Sequence, residues 1–302
     1  MKSTFITGLA AAMALSFTAS CSQENVEVIP FDLSSGRPVI EITINGEGPF
    51  PFIFDTGAGG VVIGSSLFEE LGLDVTGSSL VGSPAGGDPI AVDMTQLDSL
   101  RVGGVGVETI DATIMDFGDP RQMQSVGVFG PNVFTEHRRV AFDFVENRIE
   151  IGGSFRQNDD ANWIDFSPTA PIIEIPLTIG DVTVPVHIDT GSPSILNFPE
   201  GRVEELPLTG PLVVIGEART VDRTMQIMGA PIAGSASFGD AELPLTRISS
   251  FPLPFANIGS GGLRGLYLEI DWERQRFAVS GTADPVSLRR RRVRAPISEE
   301  TE

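Results

Sequence analysis

Residues 50–57 read F-P-F-I-F-D-T-G, and residues 184–191 read V-P-V-H-I-D-T-G. Each is an apolar run, carrying a Pro, that ends in Asp-Thr-Gly, and the two Asp lie 134 residues apart. With 19 Asp, 20 Thr and 34 Gly in 302 residues, chance predicts about 0.14 copies of the triplet. Two copies on two similar approach runs point to an internal repeat.

The repeat extends in both directions. P-V-I-E-I at 38–42 matches P-I-I-E-I at 171–175, an offset of 133. V-A-F-D-F-V-E-N-R-I-E-I at 140–151 matches L-Y-L-E-I-D-W-E-R-Q-R-F-A-V at 266–279, aligning Asp143 with Asp271 at an offset of 128. Between these markers the chain is written in short runs of Val, Ile and Thr broken by Gly and Pro, as in E-I-T-I-N-G-E-G-P-F at 41–50, which reads as many short strands. Only Ser65–Leu73 and Glu200–Leu206 carry helical signals. The expected class is all-β, with two homologous lobes at 38–155 and 163–281 joined by the polar linker R-Q-N-D-D-A-N at 156–162. A segment at 21–37 precedes the first lobe, and a tail at 282–302 follows the second.

Composition removes several function classes. The formal charge of −20 and pI near 4.4 argue against a nucleic-acid partner, which needs clustered Lys and Arg. One Cys and two His leave no disulfide, no Cys-rich zinc site and no thioredoxin-like motif, so neither metal nor cofactor is expected. His137 and His187 stand in unrelated contexts and read as structural. No G-x-S-x-G or G-x-G-x-x-G is complete.

The first residues read as an export signal, 1–20. Lys2 precedes an apolar stretch from Phe5 to Phe17, too short to span a bilayer and the right length for a signal core. The stretch ends T-A-S-C, with the chain's one Cys at 21, and resembles the lipobox of bacterial lipoproteins, although Thr18 stands where that motif has Leu. Lipidation of Cys21 is expected, with simple cleavage near Ser20 as the alternative. Either way the protein is exported, and Ser22 after the Cys favours the periplasmic face of the outer membrane. The basic run R-R-R-R-V-R at 289–294 reads as a solvated tail, or as a contact for anionic lipid headgroups or for the acidic body of the protein.

Chemistry enters through the repeated Asp. If two lobes pack about a pseudo-twofold axis, the two turns meet on it and Asp55 faces Asp189. Two carboxylates that close cannot both ionise, so the pair holds one proton between them. One can then take a proton from water while the other gives one to a carbonyl oxygen. The plainer alternative is a duplicated β-domain whose Asp only form turns.

F-I-F-D-T-G-A and V-H-I-D-T-G-S in one chain resemble the aspartic peptidases. N-G-E-G-P-F-P-F-I-F-D-T-G-A-G-G-V-V-I at 45–63, followed by S-L-F-E-E-L-G-L at 66–73, is most similar to the bacterial retropepsin-like branch, and the resemblance spans about 36–281. It implies a bilobal pepsin/retropepsin-like fold and an aspartic-type endopeptidase. Asp55 and Asp189 would be catalytic, Thr56 and Thr190 would lock the turns, and Gly57 and Gly191 would let amides approach the carboxylates. Ser192 could donate toward Asp189, whereas Ala58 has no hydroxyl for Asp55; one donor short, the pair would work in weakly acidic to neutral conditions.

The family also braces each turn with an apolar-apolar-Gly segment: V-F-G at 128–130 fits, and L-R-G at 263–265 is the best second match despite Arg264. A flap is expected in V-G-S-P-A-G-G-D-P at 81–89, at Gly82, Ser83, Gly86 and Gly87, with an ordinary surface turn as the alternative. The Tyr of pepsin-like flaps is missing from it, since the only Tyr is Tyr267. The implied substrate is an extended peptide or protein, the implied state a monomer, and the strands at 38–54 leave no room for an inhibitory pro-segment. The alternative function is an exported protein that holds peptides on this fold without cutting them.

Overall fold

A computed structural model describes residues 26–82, 89–118, 120, 124–158, 160–167, 172–219, 224–252 and 255–285. The expected signal, Cys21 and the basic run lie outside the described residues. The strands are β1 (Glu27–Pro30), β2 (Val39–Ile44), β3 (Glu47–Phe54), β4 (Val61–Gly64), β5 (Gly77–Val81), β6 (Ile90–Val102), β7 (Val105–Met115), β8 (Gly127–Phe129), β9 (Arg139–Asp143) and β10 (Arg148–Ile151) in the first half. The second half contributes β11 (Ile164–Asp165), β12 (Glu174–Ile179), β13 (Val182–Asp189), β14 (Leu196–Pro199), β15 (Val213–Arg219), β16 (Thr224–Phe238), β17 (Asp240–Phe251), β18 (Ala256–Gly259), β19 (Tyr267–Asp271) and β20 (Arg276–Thr282).

The fold is all-β and bilobal, as the repeat requires. β2 alternates, with Ile40, Ile42 and Ile44 inward and Glu41 exposed, and β12 does the same with Ile175, Leu177 and Ile179. Burying each such side chain contributes about 1.5–3 kcal/mol, so a one-residue register slip would turn the whole face to water. Six strands close into a barrel in the order β2-β3-β8-β4-β7-β6, with β5 added to β6. The second lobe repeats the circuit as β12-β13-β18-β14-β17-β16, with β15 added to β16. Closure leaves few unpaired edges.

Of the two expected helices, one is α1 (Ser65–Glu70), shorter than its signal. The other, Glu200–Glu205, is a 3-10 turn. A short α2 (Ser260–Leu263), unforeseen in the sequence, follows β18.

The lobes share a sheet region, β1-β10-β9-β19-β20 with β11 on β20, which continues into the second barrel through the parallel pair β20–β17. At its centre β9 runs antiparallel to β19, and Ala141 lies opposite Glu269, its own counterpart in the repeat. The pseudo-twofold axis passes there. The aligned pair Asp143 and Asp271 do the same work in each copy, accepting main-chain N–H groups of the following turn at Glu146 (3.0 Å) and Arg274 (3.1 Å). Arg139, fully buried, donates to Glu269 (2.7 Å), Glu150 (2.6 Å) and the hydroxyl of Tyr267. Burial raises the Glu150 pKa but is outweighed by Arg139 and Arg156, which hold it below the usual range. The linker is tied down here too: the N–H groups of Arg156 and Gln157 donate to Glu269 at 2.9 and 2.8 Å.

Candidate active site

Both Asp-Thr-Gly turns arise where a buried strand runs out. β3 ends in Phe52, Ile53 and Phe54, all buried, which delivers Asp55 to the lobe surface; β13 delivers Asp189 in the same way after Val186 and Ile188. Asp55 and Asp189 both keep partial solvent access.

Reciprocal hydrogen bonds lock the turns to each other. The Thr56 N–H donates to Thr190 Oγ1 (3.0 Å) and the Thr190 N–H to Thr56 Oγ1 (3.1 Å). The two hydroxyls then donate across the axis, Thr56 to the carbonyl of Ile188 (2.6 Å) and Thr190 to that of Phe54 (2.7 Å). Both Thr are buried, so every one of these bonds is shielded from water.

This lock sets the Asp55 and Asp189 carboxyl groups side by side, both bordering Gly57. Asp55 Oδ1 accepts the N–H of Gly57 (2.7 Å) and of Gly191 (3.0 Å). Asp189 Oδ1 accepts the N–H of Ser192 (3.0 Å), and its Oδ2 accepts the amide of Asn257 (2.5 Å). A Cβ on Gly57 would stand 3.1 Å from oxygens of both carboxylates, and one on Gly191 would overlap the Asp55 carboxylate, so neither position has room for a side chain. Burial, and then the charge of Asp189, push the Asp55 pKa well above the usual carboxylate range; the Gly57 and Gly191 amides pull against them.

Two expectations need correction. The brace of the second turn is not L-R-G at 263–265. β8 runs parallel to β3 with Val128 opposite Ile53, and β18 runs parallel to β13 with Asn257 opposite His187, so the counterpart of V-F-G is N-I-G at 257–259. Gly130 and Gly259 do the same job: a Cβ on the first would overlap the Ala58 carbonyl, and on the second would press on those of Ser192 and Ser194. The polar Asn257 hid the motif. Secondly, the Ser192 hydroxyl does not reach Asp189. It pairs with Ser194 (2.8 Å), the start of a chain through Asn197 (2.9 Å) to Ser249 (2.6 Å), and only its main-chain N–H serves the carboxylate.

Arg37 is another residue the sequence reading missed. Its Nε donates to the Gly191 carbonyl at 2.6 Å, so the segment that leads into the first lobe reaches over the second lobe's turn. Burial lowers its pKa while the charges of Asp189 and Asp55 oppose that shift. The signal lay in the repeat: Arg37 precedes P-V-I-E-I, whereas Ala170 precedes P-I-I-E-I.

β5 and β6 form an antiparallel hairpin with Val81 opposite Ile90 at its end. Of the flap candidates, Gly82 is exposed at that end, and Ser83, Gly86 and Gly87 lie outside the described residues. Among the described residues no group of His, Cys, Asp and Glu has metal-binding geometry, and no helix is long and apolar enough to cross a membrane.

Comparison with known proteins agrees with this geometry. Residues 40–133, the barrel that carries Asp55, match the model of a family described as aspartyl protease. No curated protein matches the chain. The family match and the bilobal fold support an aspartic peptidase family for this chain and a protease-like function in general.

Proposed function

We propose that the protein is an aspartic endopeptidase whose Asp55 and Asp189 share one proton and together activate a water for peptide hydrolysis. The observation that supports this is the reciprocal Thr56–Thr190 lock, which holds the two turns face to face with both carboxyl groups bordering Gly57, an arrangement in which one proton can serve both. A water held between them attacks the peptide carbon as one carboxylate takes its proton and the other acid protonates the carbonyl oxygen. The tetrahedral diol then collapses: the carboxyl that took the water's proton gives it to the nitrogen, the C–N bond breaks to release the amine, and a diol hydroxyl returns its proton to the other carboxylate, which restores the shared proton. The substrate is an extended peptide, and the β5–β6 hairpin serves as its flap.

Asp55→Asn or Asp189→Asn should each lower kcat/KM toward an unfolded protein substrate by about 10²–10⁴-fold or more. Because Asn is nearly isosteric, both variants should keep the wild-type unfolding midpoint. Turnover near wild type in either one rejects the dyad. The same reading places the enzyme outside the cytoplasm on a lipid at Cys21; Cys21→Ala should release it from the membrane fraction, and unmutated protein extracted in soluble form without detergent removes the anchor.

A further inference from the structure

The two carboxylates are not equivalent. Their N–H donors from the turns are shared out unevenly, and one side chain breaks the symmetry outright. On β18, Asn257 sends its amide to Asp189 Oδ2 at 2.5 Å; at the matching place on β8 stands Val128, which has no donor to offer Asp55. Asn257 is buried, and its Oδ1 has no hydrogen-bond partner among the described residues. Burying an unpaired carbonyl oxygen is unfavourable, and no second bond holds the amide in place. The one contact that accounts for a polar residue in this strand is the one to Asp189.

We propose that Asn257 is a positioning residue that decides where the shared proton resides: Asp189 carries the charge and acts as base toward the water, and Asp55 holds the proton and acts as acid toward the carbonyl oxygen. This rests on the dyad reading above and refines it. Both oxygens of Asp189 already accept from N–H donors, Ser192 on Oδ1 and Asn257 on Oδ2, and each of these bonds is stronger to the charged carboxylate than to the protonated acid. On Asp55 both donors converge on Oδ1, and no donor among the described residues addresses Oδ2, which is free to carry the proton. The burial of Asp55 works in the same direction. Three other groups that carry or can carry charge, Arg37, His187 and Glu174, lie on neighbouring positions. Arg37 acts on both carboxylates at once. His187, register partner of Asn257, stacks on Phe255 with its Nε2 3.2 Å from Glu174, which engages it on the far side of the strand pair. None of the three distinguishes Asp189 from Asp55 as Asn257 does.

The test reads the protons directly. Carboxyl-carbon NMR titration of the full mature chain, with Asp55→Asn and Asp189→Asn used to assign the signals, gives the two macroscopic steps of the pair whether or not a good substrate is in hand. Wild-type protein should ionise first at Asp189. Asn257→Val, which writes the first-lobe residue into the second, should raise that first step by about one pH unit and spread the proton over both sites. In kinetics the acid limb of kcat/KM should move up by the same amount, with the alkaline limb moving less. Val128→Asn, at a half-buried position that tolerates an amide, is the second arm: it should lower the step at which Asp55 ionises, and it decides the matter if Asn257→Val fails to fold. First ionisation at Asp55 in wild type, or titration steps unmoved in the folded variants, overturns the assignment. Loss of the coupled titration pattern altogether would instead remove the dyad itself.

Discussion

Under the Asp55 turn, Phe54 stacks on Phe129 (4.6 Å between ring centres) and on Phe142 (4.8 Å), with Phe134 edge-on to both Phe54 and Phe129. At the matching places under Asp189 stand Ile188, Ile258, Ile270 and Leu263, all equally buried and all aliphatic. The polar contacts are reversed. The second turn rests on the chain from Ser192 through Ser194 and Asn197 to Ser249, whereas Ala58, Gly60 and Val62 occupy the first-lobe positions that correspond to the first three. One turn is held by packed rings and the other by hydrogen bonds, although the topology around them is the same. The difference teaches that the fold demands only that each turn be rigid. Packing leaves Asp55 in apolar company, which suits a proton holder; the hydrogen-bonded side supplies donors, which suits a charge.

The largest effect should come from breaking the ring stack. The stack runs outward, since Phe142 lies on β9 of the shared sheet and continues to Phe144 and Phe31, at 6.4 and 5.3 Å. Phe54→Ala should therefore destabilise by about 3–5 kcal/mol in denaturant unfolding and also lower kcat/KM, because the turn loses its floor. Ile188→Ala removes fewer atoms and should cost less, about 2–5 kcal/mol with its hydrogen-bonded turn keeping its geometry. A Phe54→Ala variant less affected than Ile188→Ala would show that the rings fill space without bracing the turn.

The sequence carried most of the fold because closing a barrel imposes the same demands on both copies. Alternating Ile in β2 and β12, an apolar run into each Asp, and a Thr whose hydroxyl must cross the axis are all constraints that leave few residue choices, and each was legible. What was hidden is where the copies differ. Asn257 is not legible because the brace pattern is two apolar residues before a Gly, and a strand residue whose amide bonds Asp189 does not fit that pattern. Arg37 carried no motif; only its absence from the second copy marked it. The Ser192 hydroxyl was assigned to Asp189 from its place after the triplet, but a hydroxyl rotor goes to the nearer partner, and S-P-S at 192–194 provides one in Ser194. Partner choice within a turn depends on three-dimensional neighbours that spacing alone does not fix.

That last difference makes the smallest and sharpest prediction. Since the Ser192 hydroxyl bonds Ser194, Ser192→Ala should leave both donors of Asp189 in place, its own main-chain N–H and the Asn257 amide. The variant should lose about 0.5–1.5 kcal/mol of stability for one hydrogen bond, and both limbs of its kcat/KM profile should stay where they are in wild type. Ala58→Ser is the opposite case. Gly60 stands where the second lobe has Ser194, so a hydroxyl at 58 finds no such partner and turns to the Asp55 carboxylate. The sign follows from the raised pKa of Asp55: in wild type the proton is retained above the usual carboxylate range, so on the proposed mechanism activity should fall only as pH rises through that raised value. A donor to the charged form of Asp55 lowers that value, so the alkaline limb should move to lower pH. Paired pH–rate profiles of the two variants beside wild type decide it. A shift in Ser192→Ala, or none in Ala58→Ser, would mean that the hydroxyl after the triplet acts alike in both lobes and that the asymmetry lies elsewhere.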